Sequence, residues 1–498
     1  MESKHEIGPE GENMDTQKTS ETERKKLLQG SERRTALFLI GLIVMIAVAC
    51  AATAEMSVDN FFMIANWRAF QRHGFYITDP LSMHHTFRCS LEKWLSCALV
   101  YGIYETAGLA GMRVMLFVLT VLIAFLQYRL CCYTSGNRDM SLVFTVFMIG
   151  TMTPFLQFRP QVFTIVILLL ETLCLEHWIR ERRVRYLIVL PLLSFLEMQF
   201  HSTIWPCFFM VFAAYLADTE LVSGRPEFHF KDKLPMAAAA AACFGTLFCN
   251  PYGAWSVFYI FRSYGDADMN SCIMELARPT YMDVTMLIWL VLMVLALLFE
   301  NRKMPLRYLL LFIGFFAFSC TAVRNEIFLC ALAGFVPCFL LREKKLHFGI
   351  NLMLLLPLLL IVFCAGSEQS RGKEPDELET MTSLFDELKD HGIADGSDIY
   401  CDFNTGSYAE YFGFHPYIDG RAEVFLKKVN GEQDLFSEYV RHGNGEIYYR
   451  DFLDRYDFAC LVVNSDMEPA FYQELLHAPE IEVLFTNREY TVFLEKRK

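Results

Sequence analysis

The sequence predicts a mainly α fold: a polytopic helical membrane domain followed by a smaller extracytoplasmic α/β domain. Three observations carry this. Apolar stretches recur from Thr35 to Gly366, many reaching the roughly 20 residues a crossing helix needs. Apolar residues make up 54% of the chain, and its mean hydropathy is positive. After Ser367 charged residues become frequent, and helix-period segments alternate with short strand-like runs, the pattern of an α/β sandwich.

The elements follow in order. Residues 1–34 are rich in Glu, Lys, Ser, Thr and Gln, with almost no large apolar side chain before Leu27. Such a segment cannot bury enough apolar surface to fold and is expected to be a disordered cytoplasmic tail. It is too long and too acidic to lead a signal peptide, so 35–54 is a retained span. Arg24, Lys25, Lys26, Arg33 and Arg34 precede that span and place the N-terminus inside. The polar segment 55–107 is then the first outer loop. Within it Glu92–Thr106 is apolar but short, and reads as a helix lying in the interface. Further spans are expected at 108–132, 140–156, 162–178, 186–200, 203–217, 234–249, 284–299, 308–322, 327–341 and 348–366. This makes about eleven spans in a membrane domain covering 35–366, and every strongly basic turn then falls inside. Residues 367–498 form the outer domain. Its helices are expected at Pro375–His391, Val424–Val440 and Glu446–Tyr456. Its strands are expected at Asp398–Cys401, Phe458–Val463, Val483–Phe485 and Tyr490–Leu494.

The net charge of −13 gathers much of its acid in the N-terminal tail and after Ser367. No basic block is present, which excludes nucleic acid as a partner. The 16 cysteines lie mostly in apolar runs, none in a CxxC pair, so neither a zinc site nor a disulfide framework is signalled. Cys401 and Cys460 read as buried free thiols. The outer domain has no GxGxxG, Walker or GxSxG motif.

The residues that could carry chemistry cluster in 55–107. Asp59 follows the first span by a few residues. A carboxylate there could accept the proton of an attacking hydroxyl; it could also cap a helix over Asn60–Phe70, and the two readings are compatible. Asp79 precedes Pro80 in a turn, and Glu92 precedes the aromatic interfacial helix. Arg68 and Arg72, four apart, share a helical face. With Arg88, Arg113, Arg159 and Arg324 they gather guanidinium groups at the outer surface, where they suit bidentate phosphate binding. Taken singly, Arg68 and Arg72 read as contacts to lipid headgroups. Arg113 lies inside an apolar span, where a charge is a functional candidate. Asp266-Ala267-Asp268 reads as a solvated loop tip. His84-His85 are too close in sequence to share a metal easily, so no metal is assigned. His201, beside Gln199, ends a span as a capping or backbone-bonded histidine.

Several patches stand in a particular order along the chain. Asp59 is followed by Phe61-Phe62, then Gly74 and Asp79-Pro80, then Glu92-Lys93-Trp94-Leu95. Arg159-Pro160-Gln161, Gln199-Phe200-His201, Asn250-Pro251-Tyr252-Gly253 and Tyr417-Ile418-Asp419-Gly420-Arg421 come later. In this order they resemble the GT-C superfamily of polytopic glycosyltransferases, most closely a large bacterial group labelled glycosyltransferase family 39-like. The resemblance implies transfer of a sugar from a polyprenyl-phosphate-linked donor to a glycan, lipid or protein acceptor at the outer membrane face, with inversion. It implies Asp59 as base, with Asp79 and Glu92 orienting acceptor or base. Arg68, Arg113, Arg159, His201 and Arg324 would face the substrate. It leaves a divalent metal open. The chain departs from the group at Met63, where a His is frequent, at Gln157 and Arg159, where an acid is frequent, and at Lys93. These departures keep a second reading in play, a catalytically inactive scaffold or lipid- or glycan-binding subunit of a cell-envelope assembly. A transporter would carry charges near mid-span; here the acids gather at one face.

Overall fold

The computed structural model describes residues 33–218, 230–279, 284–299, 304–344 and 377–496. Most of the tail expected at 1–34, and the last expected span at 348–366, lie outside these residues.

The membrane part is a bundle of helices, apolar except for the second, which belongs to the first loop. In chain order these are α1 (Arg33–Thr53), α2 (Val58–His73), α3 (Trp94–Ser135), α4 (Arg138–Met152), α5 (Gln161–Glu181) and α6 (Arg185–His201). There follow α7 (Trp205–Ala217), α8 (Phe230–Thr246), α9 (Val284–Phe299), α10 (Leu306–Ser319), α11 (Glu326–Leu332) and α12 (Phe335–Leu340). A helix stands at each span expected between 35 and 341. Among the described residues, five helical stretches, Arg33–Thr53, Trp94–Ser135, Gln161–Glu181, Arg185–Ala217 and Val323–Leu340, are long and apolar enough to cross a membrane. α3 is broken at Gly108, whose φ of 57° and ψ of −155° suit a residue without Cβ. The break divides a segment over 94–107 from the longer run after it, where the sequence separates an interfacial helix from a crossing one.

α5 packs on α6, α6 on α8, and α3 on α4 and α5. At the far end of α5 from residue 161, Arg307 is buried between Glu176 (2.9 Å) and Asp218 (2.7 Å), and Tyr215 donates to Glu176 at 2.8 Å. Arg307, a basic-turn residue in the sequence, is thus neutralised by protein carboxylates.

The C-terminal domain is a five-stranded sheet in the order β2-β1-β3-β5-β4. Its strands are β1 (Asp398–Tyr400), β2 (His415–Pro416), β3 (Cys460–Asn464), β4 (Ile481–Asn487) and β5 (Tyr490–Glu495). β2, β1 and β3 run parallel, and β5 pairs antiparallel with both β3 and β4. Helix α13 (Glu377–Asp390) and helix α14 (Phe403–Phe412) pack against this sheet. β2 is absent from the sequence expectation because two residues, one of them proline, carry no strand signal. The helix expected over Val424–Val440 is broken: Gly431 adopts φ 85°, and Asp434 caps a new helix, α15 (Leu435–Gly443). The helix expected at Glu446–Tyr456 shrinks to Tyr449–Leu453. Cys401 and Cys460 are buried free thiols, as expected.

The two parts are not separate bodies. Phe61 of α2 lies in the same apolar cluster as Leu384, Phe385, Ile399 and Val462, its ring 4.7 Å from that of Tyr408 and 5.0 Å from that of Tyr411. Gly420 lets this interface close: a Cβ there would stand 3.2 Å from the Phe62 ring and 3.5 Å from the Val58 side chain of α2.

Candidate active site

The candidate site is a cleft between the start of α2, the start of α5, the loop after α8, the segment between α10 and α11, and residues 420–424 of the C-terminal domain. It encloses about 1080 Å³ of free space, part of it open to solvent.

Its entrance geometry begins at Ser57, the N-cap of α2. The backbone N–H of Ser57 donates to Oδ1 of Asn60 at 2.9 Å. Asp59 is therefore a first-turn residue and not the cap that the sequence also allowed. The amide of Asn60 donates to the Phe158 carbonyl at 2.6 Å, which fixes the turn before α5 against α2. The next residue, Arg159, then reaches Asp59: Nη2 lies 3.1 Å from Oδ2. Its Nη1 pairs with Glu275 from the loop after α8. Burial opposes the charge on Arg159, but Asp59 and Glu275 outweigh it and hold the guanidinium protonated. Its Nε is buried without a partner among the described residues. The Asp59 and Glu275 side chains are 30% and 35% exposed, so both carboxylates remain in reach of a ligand.

Arg324 lies on a short 3-10 turn, Val323–Asn325. The Val323 N–H donates to the Ala277 carbonyl at 3.2 Å, which draws Arg324 toward the Glu275 loop. Arg324 lines the cleft together with Lys93 and His201. The His201 ring is buried, its Nδ1 3.1 Å from the Thr164 hydroxyl.

Glu92 also lines the cleft, but in a hydroxyl cage. Ser90 and Ser202 donate to it, and Ser256 donates at 2.7 Å. Burial raises its pKa, with these three hydroxyls opposing. The geometry makes Glu92 a tie between the first loop and two distant segments. Trp94 adds a bond from its indole N–H to Gln199 at 2.8 Å.

Asp79 lies outside the cleft. It is buried and paired bidentately with Arg421, at 2.7 and 3.0 Å, and accepts from Ser82 at 2.6 Å. Burial would raise its pKa; Arg421 more than offsets this, and the net direction is down. Arg421 also binds Asp419 and Glu410, each at 2.6 Å from Nη2. One guanidinium thus joins the first loop to the C-terminal domain and shows its edge to the cleft wall. Arg68 pairs with Glu105 at 2.8 Å and lies over the Tyr411 ring. The Nε–H of Arg113 donates to the Ala54 carbonyl at 3.1 Å, tying α3 to the end of α1. Neither Arg68 nor Arg113 lines the cleft. Of the residues singled out in the sequence, the fold thus brings Asp59, Glu92, Arg159, His201 and Arg324 together, and sets Asp79, Arg68 and Arg113 apart from them.

Glu275, Lys93 and Arg421 complete the cleft and were not candidates for chemistry in the sequence. Glu275 is one acid among several in a long loop, with nothing in its spacing to select it. The Arg159 guanidinium stands between Asp59 and Glu275 and pairs with both. Asp266, in the pair read as a loop tip, caps the short helix Ala267–Cys272 and pairs with Lys428 at 3.1 Å.

No protein-family model and no curated protein matches the sequence. Solved structures do. An oligosaccharyltransferase of Archaeoglobus fulgidus, tethered through a disulfide bond to an acceptor peptide containing the NVT sequon, aligns with TM-score 0.55. The archaeal oligosaccharyltransferase AglB from the same organism, in complex with an inhibitory peptide and a dolichol-phosphate, aligns with TM-score 0.58. Each is 9% identical, and each alignment covers 92% of this chain and 74% of the other. The chain therefore shares the fold of these two oligosaccharyltransferases, the GT-C fold expected from the sequence. At 9% identity the likeness is one of fold.

Proposed function

We propose that this protein transfers a sugar or glycan from a lipid-phosphate-linked donor to an acceptor at the membrane surface. The observation that supports this most is the Asp59–Arg159–Glu275 arrangement at an open cleft, with Arg324 and Lys93 along the same wall. A carboxylate beside fixed cations is the pairing that glycosyl transfer from a phosphate requires. In the reaction a bond forms between an acceptor heteroatom and the anomeric carbon, and the bond from that carbon to the phosphate oxygen breaks. The acceptor proton passes to Asp59 as general base. The electron pair leaves with the phosphate, where charge builds up and fixed guanidinium groups stabilise the transition state most. Arg159 and Arg324 serve the phosphate, and Glu275 holds Arg159 from the side away from Asp59. Attack from the face opposite the phosphate gives inversion. The donor is a polyprenyl-phosphate-linked sugar, consistent with the dolichol-phosphate bound to AglB.

The test is transfer of a labelled sugar from polyprenyl phosphate by the wild type and by Asp59→Asn. The expected result is a fall of about 10²–10⁴-fold with unchanged expression and thermal stability. Equal transfer by the two would remove Asp59 as the base. No transfer by the wild type across a panel of lipid-linked sugars would favour the inactive-scaffold reading.

A further inference from the structure

The loop that carries Asp79 docks on the edge of the C-terminal sheet, away from the cleft, and there three segments converge. Asp398 on β1 stands opposite His415 on β2. Neighbouring positions on adjacent strands project from the same face, and Nδ1 of His415 lies 3.4 Å from Oδ1 of Asp398. The loop is held to this edge by its backbone. The Met83 N–H donates to the Pro416 carbonyl at 3.1 Å, and the buried His84 ring donates from Nε2 to the Tyr417 carbonyl at 3.0 Å. The next residue, His85, is thereby set edge-on to His415, with ring centroids 4.8 Å apart and planes at 84°. His84 and His85 face different partners, so their closeness in sequence does not limit the site.

One ligand atom each from His85, Asp398 and His415 lies within 4.8 Å of the other two, the one such group among the described residues. Tetrahedral ligands at zinc bond lengths of about 2.0–2.1 Å stand about 3.4 Å apart, close to the His415–Asp398 separation. The other nitrogen of His85 has work of its own. Nδ1 of His85 faces the Asp79 carbonyl at 3.4 Å. A carbonyl only accepts, so Nδ1 carries the proton, which leaves the lone pair on Nε2 and fixes the ring, as outer-shell carbonyls do for metal-bound histidines.

We propose that His85, Asp398 and His415 bind a divalent transition ion of the zinc class, with water as a fourth ligand, and that this ion clamps the first loop to the sheet edge. Two imidazoles and one carboxylate favour zinc and its first-row neighbours over calcium or magnesium, which take all-oxygen shells. His85 is exposed, so an ion can enter from solvent. The ligands come from residues far apart in the chain, so binding stabilises only the docked arrangement. None of the three lines the cleft, which separates the clamp from the proposed transfer chemistry.

The test uses the full chain in detergent, stripped with a chelator and then titrated with Co²⁺ and Zn²⁺. The wild type is expected to give a tetrahedral Co²⁺ d–d spectrum saturating at about one ion per chain, lost on adding Zn²⁺, and a rise in Tm with Zn²⁺. His85→Asn removes an exposed side chain. It should weaken Co²⁺ binding by roughly 10–100-fold or more and abolish the Zn²⁺-dependent Tm rise, with the metal-free Tm unchanged. Asp398→Asn, if His85→Asn misfolds, should do the same. Absence of the tetrahedral spectrum in the wild type overturns the proposal. So does a spectrum that survives in both variants, or thiolate-to-cobalt charge-transfer bands, which would place the ion on cysteine.

Discussion

Two arginines hold carboxylates in this molecule, in different ways. Arg159 pairs with Asp59 and Glu275, both about a third exposed. Arg421 pairs with Asp79, Glu410 and Asp419, whose side chains have no exposed surface. The first set can exchange a protein partner for a ligand. The second cannot, because no water or ligand can replace what is removed. Open pairing marks a place for chemistry, and sealed pairing marks a joint.

The comparison breaks most visibly at Arg421. Arg421→Met leaves the Asp79 and Asp419 carboxylates buried without a cation, and removing one partner of a buried ion pair costs about 3–5 kcal/mol. Denaturant unfolding in detergent should show that loss; a stability equal to wild type would mean the cluster is no joint. At Arg159 the balance reverses. Arg159→Gln should slow transfer by about 10²–10³-fold, the usual effect of losing one transition-state donor. Its midpoint of unfolding should move little, because water reaches both acids. A large stability loss with intact turnover would put Arg159 in the other class.

Glu410 sharpens the contrast through pH. Burial first, with Asp419 adding and Arg421 opposing, pushes its carboxyl well above the usual range. The folded chain then holds a proton that the unfolded chain releases above about pH 4.3. The stability this proton contributes is fully present below that pH and is lost as pH rises through the folded pKa. Glu410→Gln removes the titration, so its Tm should fall less than that of wild type as the pH is raised from 5. A parallel pH profile for the two would mean that Glu410 is ionised in the cluster. The smallest effect is expected at Arg68, whose pair with Glu105 is a third or more exposed on both sides. Arg68→Ala should cost no more than about 1 kcal/mol, and a greater loss would show that its contact with the Tyr411 carbonyl and ring is the larger part.

What the sequence could reveal follows the same division. The helices were legible because a long apolar run has few alternatives. Asp59, Arg159 and Arg324 were legible because each sits just beyond such a run. Glu275 was not, because what selects it is the Val323–Ala277 backbone bond that brings its loop to Arg324. Asp79 looked like Asp59 in the sequence. Only its partner tells them apart, and that partner is 342 residues away. Glu92 was placed in the right cleft, but two of the three hydroxyls that hold it come from Ser202 and Ser256, neither of which the sequence singled out. Periodicity reports which face of a helix is apolar; it carries no signal for a pairing between distant loops.

That separation of 342 residues also has a consequence in time. At roughly 5–20 residues per second, Arg421 leaves the ribosome about 17–68 s after Asp79. Throughout that interval the first loop has its carboxylate but no cation to bury it with. The wall of the cleft formed by residues 420–424 does not yet exist, while Asp59 and Arg159 have already been made. The enzyme proposed here would therefore finish its membrane helices before it owned a closed site. A nascent chain stalled after the last helix should leave Asp79 open to water and to carboxylate-modifying reagents, and release of the completed chain should protect it.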